Sequence, residues 1–269
     1  MFTLFLMDEW IVLAALTALL LIAAEVGYRV GQRHAKLHAQ NHDGVGHTGY
    51  LTHEVSALGV LALILGFTFS MTAGKFDLRR DLIVQEANAI GTTALRADLL
   101  PEPFAGQVRN QLSDYTQTRI ALFDAGVDAQ RRDAALAESE QLHAQIWAIA
   151  KEVLDLNRVD VGTGLFIQSL NEMIDVHGKQ KASFDYHIPD AIYALIYAVA
   201  MFAFGLSGIA AGYQKSRSRV PNLVMIALVV SVTFFIIDLD RPQRGLLQIS
   251  QQSLLDVAHA VRDTAEPRK

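Results

Sequence analysis

The sequence predicts an all-α, multi-pass membrane protein with four transmembrane helices and a helical extramembrane domain inserted between the second and third. Mean hydropathy is +0.24 although 19% of residues are charged, so the apolar residues must be concentrated rather than spread. They gather in four windows, Trp10–Tyr28, Val55–Ala73, Ala191–Tyr213 and Leu223–Ile237. Between the windows no segment alternates with period two for long enough to be a strand, whereas apolar residues recur at three- and four-residue spacing.

The first three windows each hold about 20 residues, enough at 1.5 Å per residue to cross a hydrocarbon core of about 30 Å. The fourth is shorter and is extended by Pro221, Asn222 and Leu239. A cleaved signal peptide is a poor description of the first, because Met1–Trp10 has no Lys or Arg and carries Asp8 and Glu9. A polar, His- and Gly-rich hairpin, Gln32–Glu54, makes the first two spans antiparallel neighbours. No turn signal follows the second span. Phe76, Leu78, Leu82, Ile83, Ala87, Ile90, Ala94 and Leu95 carry a helical rhythm onward until Pro101 and Pro103 stop it. The span therefore projects beyond the membrane as one helix on the order of 60 Å long.

Three further helices are expected at Ala105–Asp124, Ala129–Asn157 and Gly164–Val176, the first with its apolar series Leu112, Tyr115, Ile120 and Phe123. Pro189 and Asp190 start the third span, Gln214–Pro221 is a basic hairpin to the fourth, and the tail holds an amphipathic segment, Leu246–Val261. The chain thus divides into 1–74 (spans one and two), 75–188 (helical domain), 189–240 (spans three and four) and 241–269 (tail). The implied surroundings are a lipid bilayer, with the chain a multi-pass protein of the cell membrane.

Composition excludes several classes of function. There is no cysteine, hence no disulfide, thiolate nucleophile or cysteine-based metal centre. A net charge of −5 lacks the basic excess that nucleic-acid binding requires. No nucleophile–base pair or metal constellation is legible, so neither an enzyme nor a cofactor is expected. Charges near the span ends do not fix orientation. Arg29, Arg33, Lys36, Lys215, Arg217 and Arg219 flank one side, and Lys75, Arg79, Arg80, Lys179, Lys181, Arg241 and Arg244 the other. The first set sits in two short loops, a slight lean towards an external domain.

The second span is the most informative stretch. Gly59, Gly66, Ser70 and Ala73/Gly74 recur on one face, with Phe67, Phe69 and Met71 around it. Such a face suits a packing seam between membrane helices. In an oligomer with a central axis it also suits a pore lining, with Leu63, Gly66, Phe67, Phe69, Ser70 and Gly74 forming a narrow neck. Glu25 lies near the end of the first span, where it binds a proton or an ion, or else snorkels to the interface or pairs with Arg29 one turn on. His34, His38 and His42 share a four-residue spacing that a metal or a pH sensor would use, but their Gly-rich flanks favour a solvated loop. Polar Glu86, Asn88, Thr92 and Thr93 lie among apolar neighbours ahead of Arg96, suited to structural or subunit-bridging hydrogen bonds. Asp238, Asp240 and Arg241, with Arg244, form a charged cap or a vestibule where the fourth span ends.

Two of these stretches carry a likeness to a family. Leu65-Gly-Phe-Thr-Phe-Ser-Met71, running through Arg79-Arg80 to Glu86-Ala-Asn-Ala-Ile-Gly-Thr92 and Arg96, and Asp238-Leu-Asp-Arg-Pro-Gln-Arg-Gly-Leu246 with Ser250-Gln251, resemble the bacterial proteins that have a bestrophin-like domain. The resemblance implies a homo-oligomeric, pentameric channel for inorganic ions, anions foremost. Its second transmembrane helix would line a hydrophobic neck with Phe67 and Phe69 as constriction groups, and its helical domain would lie in the cytoplasm. One departure bears on selectivity. Lys75–His187 holds 12 Lys/Arg against 17 Asp/Glu, so the domain offers no bulk positive field for anions. Nor is an acidic calcium clasp legible.

Overall fold

The computed structural model describes residues 9–37, 45–126, 128–214, 220–241 and 246–265. The described residues form helices α1 (Glu9–Leu37), α2 (Val45–Ala97), α3 (Phe104–Asp124), α4 (Ala129–Leu156), α5 (Val161–Asp185), α6 (Asp190–Tyr213), α7 (Val220–Asp240) and α8 (Gln252–Ala265), and no strand. Four of them, α1, α2, α6 and α7, are long and apolar enough to cross a membrane. The all-α, four-span class expected from the hydropathy pattern is the class observed.

The helices begin and end where local chemistry directs. Pro101 and Pro103 cannot continue α2, and α3 starts at Phe104. Gly126, with φ of +53°, takes the left-handed conformation just beyond α3, which a side chain would resist. Asp128 caps α4 by accepting from the Arg131 N–H, and Asp160 caps α5 through the Thr163 N–H at 2.6 Å and hydroxyl at 2.8 Å. Those hydrogen bonds, the backbone one first, hold the Asp160 carboxyl below its usual range. Three boundaries differ from expectation. α1 runs on to Leu37 and α2 begins at Val45, so the polar hairpin is largely helical; basic His34 and Lys36 in the last turn of α1 complement its dipole. α5 extends to Asp185 rather than Val176, since nothing in Val176–Asp185 breaks a helix. α2, at 53 residues, is about 80 Å long rather than 60.

The chain divides into two compact units, Met1–Gly74 with His187–Asp240, and Lys75–Tyr186 with Arg241–Lys269. In the first, Leu13, Leu16 and Leu20 of α1, Leu61 and Leu65 of α2, Ile196 and Phe204 of α6, and Ile226 and Ile236 of α7 share one apolar core. The closest approach is between α1 and α6. A Cβ at Gly27 would fall on the Gly205 carbonyl oxygen, one at Gly31 on that of Ile209, one at Gly208 on that of Ala24, and one at Gly212 on that of Tyr28. Each helix thus contributes a small-xxx-small pair that lets backbone touch backbone. Ser207 donates to Asn222 at 2.8 Å, joining α6 to α7.

In the second unit, Ile83, Ile90 and Ala97 of α2 pack with Val108 and Leu112 of α3, Ile146 and Val153 of α4, Phe166 and Leu170 of α5, and Leu254 and Val261 of α8. The buried stripe of α2 here is Leu82, Ile83, Ala87, Ile90, Ala94 and Ala97. Leu78 and Leu95, expected to share it, are 52% and 71% exposed. A single step of about 100° around the helix carries them off the stripe.

Candidate functional site

Within the first unit, α2 has two faces of different character. Ala57, Leu61, Leu65, Thr68 and Thr72, at four-, four-, three- and four-residue steps, are buried. Thr68 and Thr72 satisfy their hydroxyls by donating to the Ile64 and Thr68 carbonyls, at 2.8 and 2.7 Å, which makes them tolerable in an apolar helix. The other face carries Leu63 (58% exposed), Gly66, Phe67 (69%), Phe69 (43%), Ser70 and Gly74, all turned outward. A Cβ at Gly59, Gly66 or Gly74 would meet nothing within 4 Å. The expected packing seam on this face is therefore not made within the protomer; the glycines that bring helices together are those of α1 and α6. Their signal, Gly27-x-x-x-Gly31 and Gly208-x-x-x-Gly212, was present in the sequence.

Within the second unit, α2 contributes a polar group to the middle of a helical core. Glu86 is fully buried. Arg119 of α3, also fully buried, donates through Nε to Glu86 Oε1 at 2.6 Å and through Nη2 to Oε2 at 3.3 Å. The Tyr115 hydroxyl, one turn earlier on α3, donates to Glu86 Oε1 at 2.9 Å. Arg119 also donates to Gln180 Oε1 on α5. The Tyr115 hydroxyl lies 3.4 Å from His177 Nδ1, and His177 meets His143 of α4 edge-on with centroids 4.9 Å apart. His143 in turn packs on the Tyr115 ring at 4.6 Å. Burial, then the charge of Glu86, pushes the Tyr115 phenol well above its ordinary range. Burial, reinforced by the Arg119 cation, lowers His143 to about 4 and His177 to about 3. Both imidazoles are therefore neutral at pH 7. Arg119 Nη1, His143 Nε2, His177 Nε2 and Gln180 Nε2 are buried without a hydrogen-bond partner.

Asn88 and Thr92 are exposed, and Thr93 is buried with its hydroxyl on the Ala89 carbonyl at 2.7 Å. Arg96 donates to the Leu165 carbonyl of α5 at 2.8 Å, and Arg79 to the Ser183 and Tyr186 carbonyls at 3.2 and 2.9 Å. Glu25 accepts from Arg29 at 2.9 Å, one turn on in α1. Asp238, Asp240 and Arg241 are all buried, at 0%, 2% and 7% exposure. Asp240 accepts from the Ile188 N–H at 3.2 Å and lies 3.8 Å from His187 Nδ1, so the end of α7 is tied to the segment that enters α6. His38, His42, Lys215, Arg217, Arg219 and Arg244 lie outside the described residues.

Tyr115, Arg119, His143, His177 and Gln180 were not legible as a site. Tyr115 reads as one more member of an apolar series, and the others as surface positions of amphipathic helices. Their only sequence signal is a polar residue on an apolar helical face, which does not name its partner.

The bestrophin-like domain family model matches residues 17–254. No curated protein is similar enough in sequence to match. Among solved structures, a bacterial bestrophin homologue from Klebsiella pneumoniae bearing a tyrosine-to-alanine mutation superposes with a TM-score of 0.67 at 13% identity, over 91% of this chain and 97% of that one. The homologue from the same organism phased on zinc superposes at 0.65 with 14% identity, over 93% and 98%. The crystal structure of a membrane protein with a proline-to-alanine mutation gives 0.66 at 14% identity over the same shares. The fold is shared at an identity where side-chain roles do not transfer automatically. With the family match running from the first span into α8, this chain belongs to the bestrophin-like domain family.

Proposed function

We propose that the protein is one subunit of a homo-oligomeric ion channel of the bacterial cell membrane, conducting along an axis lined by α2. The observation that carries this reading is the unfilled outer face of α2. Leu63, Gly66, Phe67, Phe69, Ser70 and Gly74 turn away from the chain's own core, while the opposite face is packed with Leu61, Leu65, Thr68 and Thr72. Lipid alone does not call for glycines and a serine on such a face, whereas close-packed copies around an axis do. Phe67 and Phe69 supply the apolar girth that gates ions by dewetting. Membership of the bestrophin-like domain family and the likeness to bacterial bestrophin homologues support a channel role rather than a catalytic one. By the same analogy the oligomer is a pentamer, anions are the permeant species, and the unit containing 75–186 faces the cytoplasm. The acidic balance of that unit puts the burden of selectivity on neck geometry rather than on a surrounding positive field.

The decisive test pairs a subunit count with planar-bilayer recording. Particles with fivefold symmetry and a current that changes several-fold in Phe67→Ala are expected. A monomer or simple dimer, or a well-folded oligomer silent across voltage, pH and calcium, overturns the reading.

One observation favours a second role, a membrane-anchored sensor or scaffold. A cleft of about 320 Å³ in the helical unit is lined by Arg79, Phe123, Gln180, Phe184 and Gln251 among others. Its mix of amide, cationic and aromatic groups is of the kind that binds small molecules. A monomeric protein whose helical unit captures a ligand without any current would select this reading.

A further inference from the structure

The buried imidazole pair belongs to the helical unit, and its surroundings are unusual for a purely structural core. His143 and His177 are 6% and 4% exposed, sit edge to face at 4.9 Å, and come from different helices, α4 and α5. Glu86 and Gln180 are already engaged by Arg119. On α2, Glu86 takes hydrogen bonds from both Arg119 and Tyr115. On α3, Arg119 presents a cation, and Tyr115 offers His177 Nδ1 a neutral hydroxyl. On α4, Glu140, the one carboxylate that favours a charged His143, is at the surface and bound to Lys181 of α5 at 2.5 Å. On α5, Lys181 and Gln180 add a like charge and a neutral amide. α8 packs into the same core, but its Asp256, His259, Arg262 and Asp263 are exposed. A proton arriving on either ring therefore creates a buried cation beside Arg119, with only the surface Glu140, already bound to Lys181, to favour it.

We propose that His143 and His177 form a buried proton-accepting site that holds α4 and α5 against the Glu86–Arg119 pair at neutral pH and releases them in acid. The displaced ring reaches water by parting α4 from α5 at the Glu140–Lys181 bridge, which crosses between the two helices beside the histidines. Helix content survives this step, because the backbone hydrogen bonds of the helices and the apolar core of the unit are made without the imidazoles. The lowered proton affinity of both rings, caused by burial and by Arg119, sets the response on the acid side of an ordinary histidine. The proposal does not depend on the channel reading, and its test needs no current.

The chain has two tryptophans, Trp10 and Trp147, and Trp147 lies one turn after His143 on α4. In full-length Trp10→Phe protein in nanodiscs, Trp147 emission and far-ultraviolet circular dichroism are followed from pH 7.5 to 3.5 and back. The expected result is a reversible Trp147 transition, centred at least about one pH unit below 6.5, with helix content retained. In the same background, His143→Gln with His177→Gln abolishes the transition. If the double variant does not fold, each single glutamine variant is expected to shift the midpoint, and histidine Cε1–H resonances of the parent, assigned from those variants, must titrate below the ordinary range. A transition that persists unchanged in the double variant, no transition in the parent, loss of helix concurrent with the Trp147 change, or His143 and His177 resonances that titrate near 6.5 would each overturn the proposal.

Discussion

At the scale of single residues, the helical unit rests on a charge it could not bury alone. Glu86 is tolerable in an apolar core because Arg119 and Tyr115 both donate to it. Removing one partner of such a pair strands the other. Arg119→Met is therefore expected to destabilise the unit by about 3 kcal/mol or more, and adding Glu86→Gln to restore much of that loss. Chemical unfolding of the two single variants and the double variant checks the coupling, and simple additivity would contradict it. The histidines make a pH prediction whose sign follows from their surroundings. Unfolded, each titrates near 6.5; folded, His143 titrates at about 4 and His177 at about 3. Between those values the unfolded chain binds more protons than the folded one, so stability is full above pH 6.5, declines as pH falls, and levels off below about 3. At about 1.4 kcal/mol per unit the two groups together account for up to about 8 kcal/mol. Denaturant midpoints measured from pH 7.5 to 4 should fall, and fall less in His143→Gln.

At the scale of helices, the glycines separate into two kinds by what stands opposite them. On α1 and α6 they face backbone, so Gly208→Val places a branched side chain on the Ala24 carbonyl and must push the helices apart. A drop of several degrees in thermal stability, or loss of folded protein, is expected from fluorescence-detected size exclusion. On α2, Gly66 faces open space. Gly66→Leu leaves the protomer intact, and any effect on particle size or current reports a neighbouring copy. Equal thermal losses at both sites would mean that Gly66 packs inside the protomer after all. The α2 stripe was partly legible: the rhythm that carries Leu82, Ile83, Ala87 and Ile90 inward was read correctly, while Leu78 and Leu95 were misplaced by one position. Periodicity gives an average direction, and the actual direction depends on which neighbours fill the groove.

At the scale of the molecule, orientation and assembly belong to the channel reading. The absence of cysteine makes the first of these easy to measure. Glu138 is exposed on α4, and Glu138→Cys introduces a single reactive thiol. If the helical unit faces the cytoplasm, a membrane-impermeant maleimide labels this variant only after the cells are opened. Labelling of intact cells would reverse the topology and match the slight lean of the loop charges. The candidate neck was legible at the level of composition, since glycine, serine and phenylalanine on one helical face are visible in a string of letters. The buried network was not, because its members come from α2, α3, α4 and α5 and lie up to about a hundred residues apart in sequence, where no local pattern relates them.

By itself the sequence determined the number of spans, the helical class, the proline stops between α2 and α3 and the starts of most helices. These follow from hydrophobic length, periodicity and capping, which act within a few residues of chain. Only the tertiary structure decided that α1 and α6 touch through Gly27, Gly31, Gly208 and Gly212, that the small-residue face of α2 is left open, that Arg119 turns inward to meet Glu86, and that His143 and His177 turn inward against Tyr115. Those are choices of partner. A polar side chain on an apolar face announces that it needs a partner, but which helix supplies one is settled by packing the whole set of helices at once, where close approach and buried charge are evaluated together.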